Sequence, residues 1–174
     1  VYLYGQNAGE FGSIHFAPNE ELSNALPYNI TAGNHDFEKN DSEHSYFYDY
    51  MNFDPMSDAE GDAKGKYYAQ QVGNSLFIYL NSNKQYQGEL TATKQTYLAN
   101  CEAQMNCVAD KLKAAEEDED VDMIFIFLHH GYRYEMGSDP GQNATAGKIK
   151  DRLYPVMNLS TKIKTMQYGH THAV

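Results

Sequence analysis

The chain has 174 residues, of which 41% are hydrophobic, and its 13 basic and 24 acidic residues give a formal net charge of −11. This length is typical of one domain. The negative charge argues against a nucleic-acid scaffold or an anionic membrane surface as a partner, and no stretch approaches the roughly 18 consecutive apolar residues of a membrane span. An anionic substrate would therefore need a local source of positive charge.

Short runs rich in β-branched and aromatic residues alternate with segments of helical periodicity. The predicted strands are Tyr28–Ala32, Tyr67–Val72, Leu76–Asn81, Met123–Leu128 and Ile163–Tyr168. The predicted helices are Glu20–Ala25, Glu43–Met51, Thr91 to about Ala115, and Lys148–Met157. The strands are mostly apolar, as buried strands are. This order predicts an α/β fold.

The long helix carries an apolar face at helical spacing, formed by Leu98, Met105, Val108 and Leu112. We expect this face to cover the sheet. The acidic run 116–120 would oppose the helix dipole at a C-terminus. The helix is therefore expected to end just before the run, which is interpreted as a solvated loop.

Cys101 and Cys107 lie six residues apart in this helix, a spacing that points their side chains to different faces. Two separate thiols are expected. Four Asn-x-Ser/Thr sequons together with few lysines favour a secreted or extracytoplasmic protein. The sequon asparagines are Asn29, Asn40, Asn143 and Asn158.

Five of the seven histidines form three clusters, and each cluster directly follows a predicted strand. They are His35, His129 with His130, and His170 with His172. In open α/β sheets the ligand site lies beyond the carboxyl ends of the strands. We therefore expect three loops that are distant in sequence to converge on one site. The remaining two, His15 and His44, are interpreted as ordinary surface or hydrogen-bonded core residues.

These residue types suit a metal site. Neutral imidazole binds Zn, Fe, Mn or Ni, and the amide of Asn34 and the carboxylate of Asp36 supply harder oxygen donors. The adjacent His129 and His130 point apart, so one of them is expected to be a ligand. We favour His129, with His130 as the alternative.

The sequence "GHTH" places His170 and His172 two residues apart, which splays their rings and suits two neighbouring metals better than one. Gly33 and Gly169 are expected to let the backbone turn sharply and approach the ions closely.

The motifs "GNHD", "FIFLHHG" and "YGHTH" follow one another in this order, each at a strand end. Together they resemble the calcineurin-like metallophosphoesterase superfamily. The stretches "GKYYAQQVGNSLFIYLNS" and "TKQTYLAN" resemble strands and a helix of its purple-acid-phosphatase-like members. The resemblance runs from about Leu26 to Val174. It implies a partial metallophosphoesterase sandwich, in which helices flank mixed β-sheets and the metal site lies at the strand carboxyl ends.

The resemblance implies that Asn34, His129 and His170 ligate one metal and that His172 helps to ligate a second. Two divalent or trivalent ions of Fe, Zn or Mn would form a dinuclear centre. A metal-bound hydroxide would then hydrolyse a phosphate monoester or diester. The implied partner is a phosphorylated small molecule or another phosphoester.

The catalytic residues implied by the resemblance are His35 and Asp36. His35 would contact the phosphate and protonate the leaving group. Asp36 would orient His35 through a hydrogen bond.

The superfamily signature begins with Asp-x-His and Gly-Asp motifs, and this chain has no Asp before Asp36. We therefore expect residues 1–174 to form a single but incomplete catalytic domain. The alternative is a non-catalytic structural or binding module that keeps a degenerate metallophosphoesterase fold.

Overall fold

The computed structural model describes residues 8–26, 29–36, 46–50, 66–83, 95–130 and 152–170. The strands are β1 (Tyr68–Val72), β2 (Ser75–Tyr79), β3 (Met123–Leu128) and β4 (Ile163–Tyr168). The helices are α1 (Ala8–Glu10), α2 (Glu20–Ala25), α3 (Tyr46–Tyr50), α4 (Gln95–Glu117) and α5 (152–157). A π-helical turn, Phe11–Phe16, and two 3₁₀ turns, Ala17–Asn19 and Asn34–Asp36, complete the described elements. These elements confirm the predicted α/β class.

The four strands form one mixed sheet in the order β1-β2-β3-β4. β1 and β2 are an antiparallel hairpin in which Val72 pairs with Ser75. Its two-residue turn places Gly73 at φ +57°, a left-handed conformation that glycine adopts without steric cost. β2 and β3 are parallel, as are β3 and β4.

The three parallel strands place the segments that follow them at the same edge of the sheet. These segments are residues 80–83, 129–130 and 169–170. Parallel neighbours require long crossover connections, usually helical. Here α4 lies between β2 and β3 in sequence, and α5 lies between β3 and β4. We call the shared edge the carboxyl edge.

The main core lies between α4 and one face of the sheet. Val108 and Leu112 of α4 are fully buried, as are Ile78, Ile124 and Ile126 of the central strands. Burying such an aliphatic side chain contributes about 1.5–3 kcal/mol each. Met105 is also buried in this core, so three positions of the predicted apolar face are confirmed. The side chain of Leu98 lies outside the described residues.

The opposite face of the central strands carries aromatic rings. Tyr79 stacks on Tyr68 of β1 and on Phe127 of β3, with ring centroids 4.5 Å and 5.1 Å away. Phe77 stacks on Phe125 with centroids 5.2 Å apart. Cross-strand aromatic pairs of this kind stabilise strand pairing and its register.

The predicted strand Tyr28–Ala32 is wrong within its described part. Residues 29–33 pair with no strand. The Tyr68 hydroxyl instead accepts a hydrogen bond from the Ile30 N–H (2.9 Å) and donates one to the Ile30 carbonyl (2.8 Å). The Asn83 amide donates to the Ala32 carbonyl (3.0 Å). Side chains therefore satisfy backbone groups that a strand partner would otherwise satisfy.

The long helix ends two residues later than predicted, at Glu117, and residues 118–120 form the exposed loop that the sequence predicts. Glu116 belongs to the helix and is half-buried. It accepts hydrogen bonds from the Ser160 hydroxyl (2.6 Å), the Thr161 hydroxyl (2.7 Å) and the Thr161 N–H (2.9 Å). These donors lower the pKa of Glu116 to about 2. They offset the unfavourable interaction of a carboxylate with the C-terminal end of the helix dipole.

The two cysteines and the predicted helix Glu20–Ala25 agree with the structure. Cys101 is buried and forms no disulfide with Cys107, whose sulfur lies 3.9 Å from the Tyr67 hydroxyl. The separate thiols are therefore confirmed. The predicted helix Glu20–Ala25 matches α2. The helical turns Phe11–Phe16 and Ala17–Asn19, which precede α2, were not predicted.

In the part of the chain that the structure describes, no helix has both the length and the apolar character needed to cross a membrane. The expectation of one incomplete domain and the expectation of secretion stay predictions.

Candidate metal centre

Three histidine side chains meet at the carboxyl edge. His129 and His130 follow β3, and His170 follows β4. One potential ligand atom from each ring lies within 4.8 Å of those of the other two. The ring centroids are 4.5–5.0 Å apart. We call His129, His130 and His170 the three-histidine cluster. The structure thus brings together two of the three histidine segments identified from the sequence.

The parallel pairing of β3 and β4 positions these rings. The Gly169 N–H donates a hydrogen bond to the His129 carbonyl (3.1 Å), which continues the contact beyond the strand ends. His170 has φ +71°, which places it in the left-handed region. This conformation costs a non-glycine residue roughly 1–2 kcal/mol, and such strain is concentrated at functional sites.

The cluster fits a metal ion in its donor chemistry and spacing. The His129 Nε2 and His170 Nδ1 atoms lie 3.1 Å apart. Two nitrogens bound to one tetrahedral Zn²⁺, each at 2.0–2.1 Å, lie about 3.3 Å apart. This pair is therefore already spaced for one ion, while the ligand atoms of the whole cluster, which lie within 4.8 Å of one another, would have to draw closer to bind it together. Three imidazoles also suit Fe, Ni and Cu.

The low pKa of His130 keeps its ring in the neutral form. Burial lowers its pKa, and repulsion from His129 and His170 lowers it further, to about 3. Its ring is therefore neutral near pH 7, which is the form that binds metals. The choice between His129 and His130 as ligand stays a prediction, since both rings belong to the cluster.

Gly33 lies against the cluster. A Cβ built on Gly33 would come within 2.9 Å of two atoms of the His129 ring and 3.1 Å of a third. The backbone of Gly33 is not left-handed. Glycine is required here because of the ring, and the sharp turn predicted from the sequence is not the reason. At Gly169 a Cβ would meet nothing within 4 Å, and the left-handed residue is its neighbour His170.

The turn that follows Gly33 is held by Asp36. The Asp36 carboxylate accepts a hydrogen bond from the Gly33 N–H (2.7 Å), and the Asp36 N–H donates to the Gly33 carbonyl (3.2 Å). Asp36 is buried, and His35 is half-buried beside it. The catalytic roles of His35 and Asp36 stay predictions. The Asn34 side chain and His172 lie outside the described residues.

A buried polar segment, residues 81–83, adjoins the cluster and was not identified from the sequence as functional. Ser82 contacts His130 twice: its Oγ accepts from the His130 N–H (2.8 Å) and lies 2.9 Å from the ring Nδ1. The signal was present in "YLNSN", because these polar residues also follow a strand directly. They escaped notice because Asn and Ser are common in ordinary turns.

His15 has the structural role expected of it. Its ring packs edge-to-face against Phe11 and Phe16 in the π-helical turn. Burial lowers its pKa, which the Asp36 carboxylate partly opposes. His44 lies outside the described residues.

Comparisons of the chain with protein-family models, curated proteins and solved structures found no match.

Proposed function

We propose that the protein is a metal-dependent hydrolase of phosphate esters, similar to the calcineurin-like metallophosphoesterases. One observation carries the proposal: one described residue from each of the three motifs that resemble this superfamily lies beside the next, namely Gly33, His129 and His170. The His129 ring of "FLHH" lies where a Cβ on Gly33 of "GNHD" would be, and His129 contacts His170 of "GHTH". His129 and His170 are 41 residues apart in sequence, so the fold, and not closeness along the chain, brings the motifs together.

The proposed ligands are His129 and His170 with the Asn34 amide, together with His172 for a second ion. His130 is an additional candidate because it belongs to the cluster. Ions of Fe, Zn or Mn would neutralise charge that develops on the phosphoryl oxygens. They would also supply the local positive charge that a chain of net charge −11 needs to bind a phosphate.

His35 would act on the substrate. Its half-buried ring would contact the phosphate and give a proton to the leaving oxygen. Asp36 would orient it, since the buried Asp36 carboxylate is itself fixed by the Gly33 N–H. This arrangement would place the proton donor on the turn that also packs against His129.

The second candidate is a non-catalytic module that binds a metal. One observation favours it: within the described residues, the cluster consists of three imidazoles and includes no carboxylate. Such a site would hold an ion without the bridging carboxylate of a dinuclear centre.

Metal content and turnover distinguish the two candidates. In protein isolated from its natural source, we expect two metal ions per chain by elemental analysis, together with hydrolysis of p-nitrophenyl phosphate. One ion or none, with no hydrolysis, would support the module.

Two variants test the proposed roles. We expect His170→Ala to lose metal, and His35→Ala to keep it while turnover falls by about 10²-fold or more, the usual contribution of a general acid. Ser75→Ala is the control, because Ser75 is buried at the start of β2, away from the carboxyl edge. Full activity in both site variants would contradict the proposal.

A further inference from the structure

Ser82 makes two contacts with one histidine of the cluster. Its side chain is almost fully buried, with 1% of its surface exposed. Its Oγ accepts a hydrogen bond from the His130 N–H (2.8 Å) and lies 2.9 Å from the His130 Nδ1. A single hydroxyl therefore fixes both the backbone and the ring of a residue 48 positions away.

The contact with Nδ1 determines which nitrogen remains for a metal. A neutral imidazole carries one proton, on either Nδ1 or Nε2. If Nδ1–H donates to Ser82, the lone pair of Nε2 can bind an ion. If the Ser82 hydroxyl donates to Nδ1, the proton is on Nε2, and that nitrogen cannot ligate.

Ser82 is itself held by a network that reaches two other elements. The Asn81 N–H donates to the Gln104 Oε1 (2.8 Å), and the Gln104 Nε2 donates back to the Asn81 carbonyl (3.0 Å). The Asn83 amide donates to the Ala32 carbonyl (3.0 Å) beside Gly33. Residues 81–83 are thus tied to α4 and to the turn at Gly33. A metal site is held in its productive geometry by supporting groups of this kind.

We propose that Ser82 is a positioning residue that keeps His130 in the Nδ1–H tautomer, so that Nε2 serves as a metal ligand beside His129 and His170. In metal sites, the histidine nitrogen that does not bind the ion usually donates to a carboxylate, a carbonyl or a water. The Ser82 hydroxyl takes the place of that acceptor. This role rests on the proposed metal-dependent function, but the tautomer can be measured without metal.

The first test is ¹⁵N NMR on metal-free, histidine-labelled protein near pH 7. We expect His130 to show a protonated Nδ1 and an unprotonated Nε2. Ser82→Ala should lose this preference, and Ser82→Thr, which keeps a hydroxyl, should retain it. An Nε2–H tautomer in the wild-type protein would overturn the proposal, and this measurement needs no variant to fold.

The second test is Zn²⁺ affinity by competition with a chelator. Loss of a group that supports a metal ligand typically weakens binding 10–100-fold, and we expect Ser82→Ala to fall in about this range, with Ser82→Thr close to wild type. Ser75→Ala is the matched control: Ser75 is a buried serine at the opposite end of β2. Equal affinity of Ser82→Ala and the wild type would overturn the proposal.

The two tests separate this proposal from the function on which it rests. Wild-type protein with the Nδ1–H tautomer but no affinity for Zn²⁺, Fe²⁺ or Mn²⁺ would support the role of Ser82 in setting the tautomer and would overturn the ligand role of Nε2. It would overturn the metal-dependent function.

Discussion

Only glycine fits at position 33, because the ring of His129 packs against it. The His129 ring occupies the space that a Cβ on Gly33 would need, with distances of 2.9 Å to two ring atoms. Separations under about 3 Å between such atoms do not occur without a shift of one partner. An imidazole packed within a cluster has little freedom to move, because its orientation also determines its contact with His170.

We predict that Gly33→Ala displaces the His129 ring and weakens Zn²⁺ binding by about 10–100-fold. Overpacking should also lower the free energy of unfolding by about 1–3 kcal/mol. Chelator competition and urea unfolding measure the two effects. Gly169→Ala is the matched control, because it adjoins His170 yet its added Cβ would meet nothing within 4 Å. Equal losses in both variants would contradict the explanation.

The cluster residues are recognisable in the sequence, whereas the groups that support them are not. His129, His130 and His170 could be identified because imidazoles at strand ends are uncommon and their chemistry is distinctive. Ser82 gave only the weak signal of a polar segment after a strand, and Gln104 gave none, because their roles come from contacts across 48 and 23 residues. A glutamine within a helix gives no local sign that it pairs with the backbone of a loop.

At the level of elements, the C-terminus of α4 depends on a partner from another part of the chain. Glu116 stands where the helix dipole disfavours a carboxylate. Donors from Ser160 and Thr161 compensate, and the Lys162 ammonium donates to the carbonyls of Ala115 (2.8 Å) and Asp118 (2.7 Å). Helix α4 is thereby fixed to the segment that leads into β4.

The pKa of Glu116 predicts how this contact depends on pH. Its pKa falls from 4.5 in the unfolded chain to about 2 in the folded protein. The contact therefore stabilises the fold fully above about pH 4.5, and the stabilisation is lost as the pH falls towards 2. We predict that Glu116→Gln lowers the urea midpoint at pH 7 and that its difference from the wild type shrinks between pH 4.5 and 2.

The control for this prediction is Glu117→Gln, the exposed neighbour on the same helix. We expect a much smaller change in its urea midpoint at pH 7. A difference between Glu116→Gln and the wild type that stayed constant from pH 7 to pH 2 would show that the charge of Glu116 is not what stabilises the contact.

The strands illustrate what local sequence pattern can and cannot establish. Four of the five predicted strands are present. The two central strands give the clearest pattern of apolar and aromatic residues, because β2 is mostly buried and β3 alternates between buried and half-buried positions. The fifth, Tyr28–Ala32, has the same β-branched composition. Its described part forms no strand, and the Tyr68 hydroxyl and Asn83 amide satisfy backbone groups within it. Composition alone could not predict this, because strand pairing depends on neighbours that the local sequence does not specify.

At the scale of the whole molecule, the candidate site adjoins two hydrophobic clusters, because Leu128 of one precedes His129 and Ala32 of the other precedes Gly33. The larger cluster joins the sheet to α4 and α5. The smaller one consists of Phe11, Ala32 and Phe47. Ala32 adjoins Gly33, on which a Cβ would meet the His129 ring, and the Ala32 carbonyl accepts a hydrogen bond from Asn83 beyond β2. An ion bound by His129 would therefore reinforce contacts between parts of the chain that are far apart in sequence.

This position predicts a thermal effect of metal binding on the whole protein. An ion that binds only the folded state stabilises it by about 2.7 kcal/mol at a free concentration of 100 times Kd. For a chain of this size, that corresponds to a rise in Tm of about 5–10 °C. We predict such a rise with Zn²⁺, measured by calorimetry. His170→Ala should abolish it, because only two imidazoles of the cluster would remain.

The net charge of −11 attracts any divalent cation to the surface, so a second ion is needed as a control. Mg²⁺ prefers oxygen ligands and should raise Tm little in either protein. If Zn²⁺ raised the Tm of His170→Ala as much as that of the wild type, the ion would be stabilising the fold through surface carboxylates. The three-histidine cluster would then not be its site.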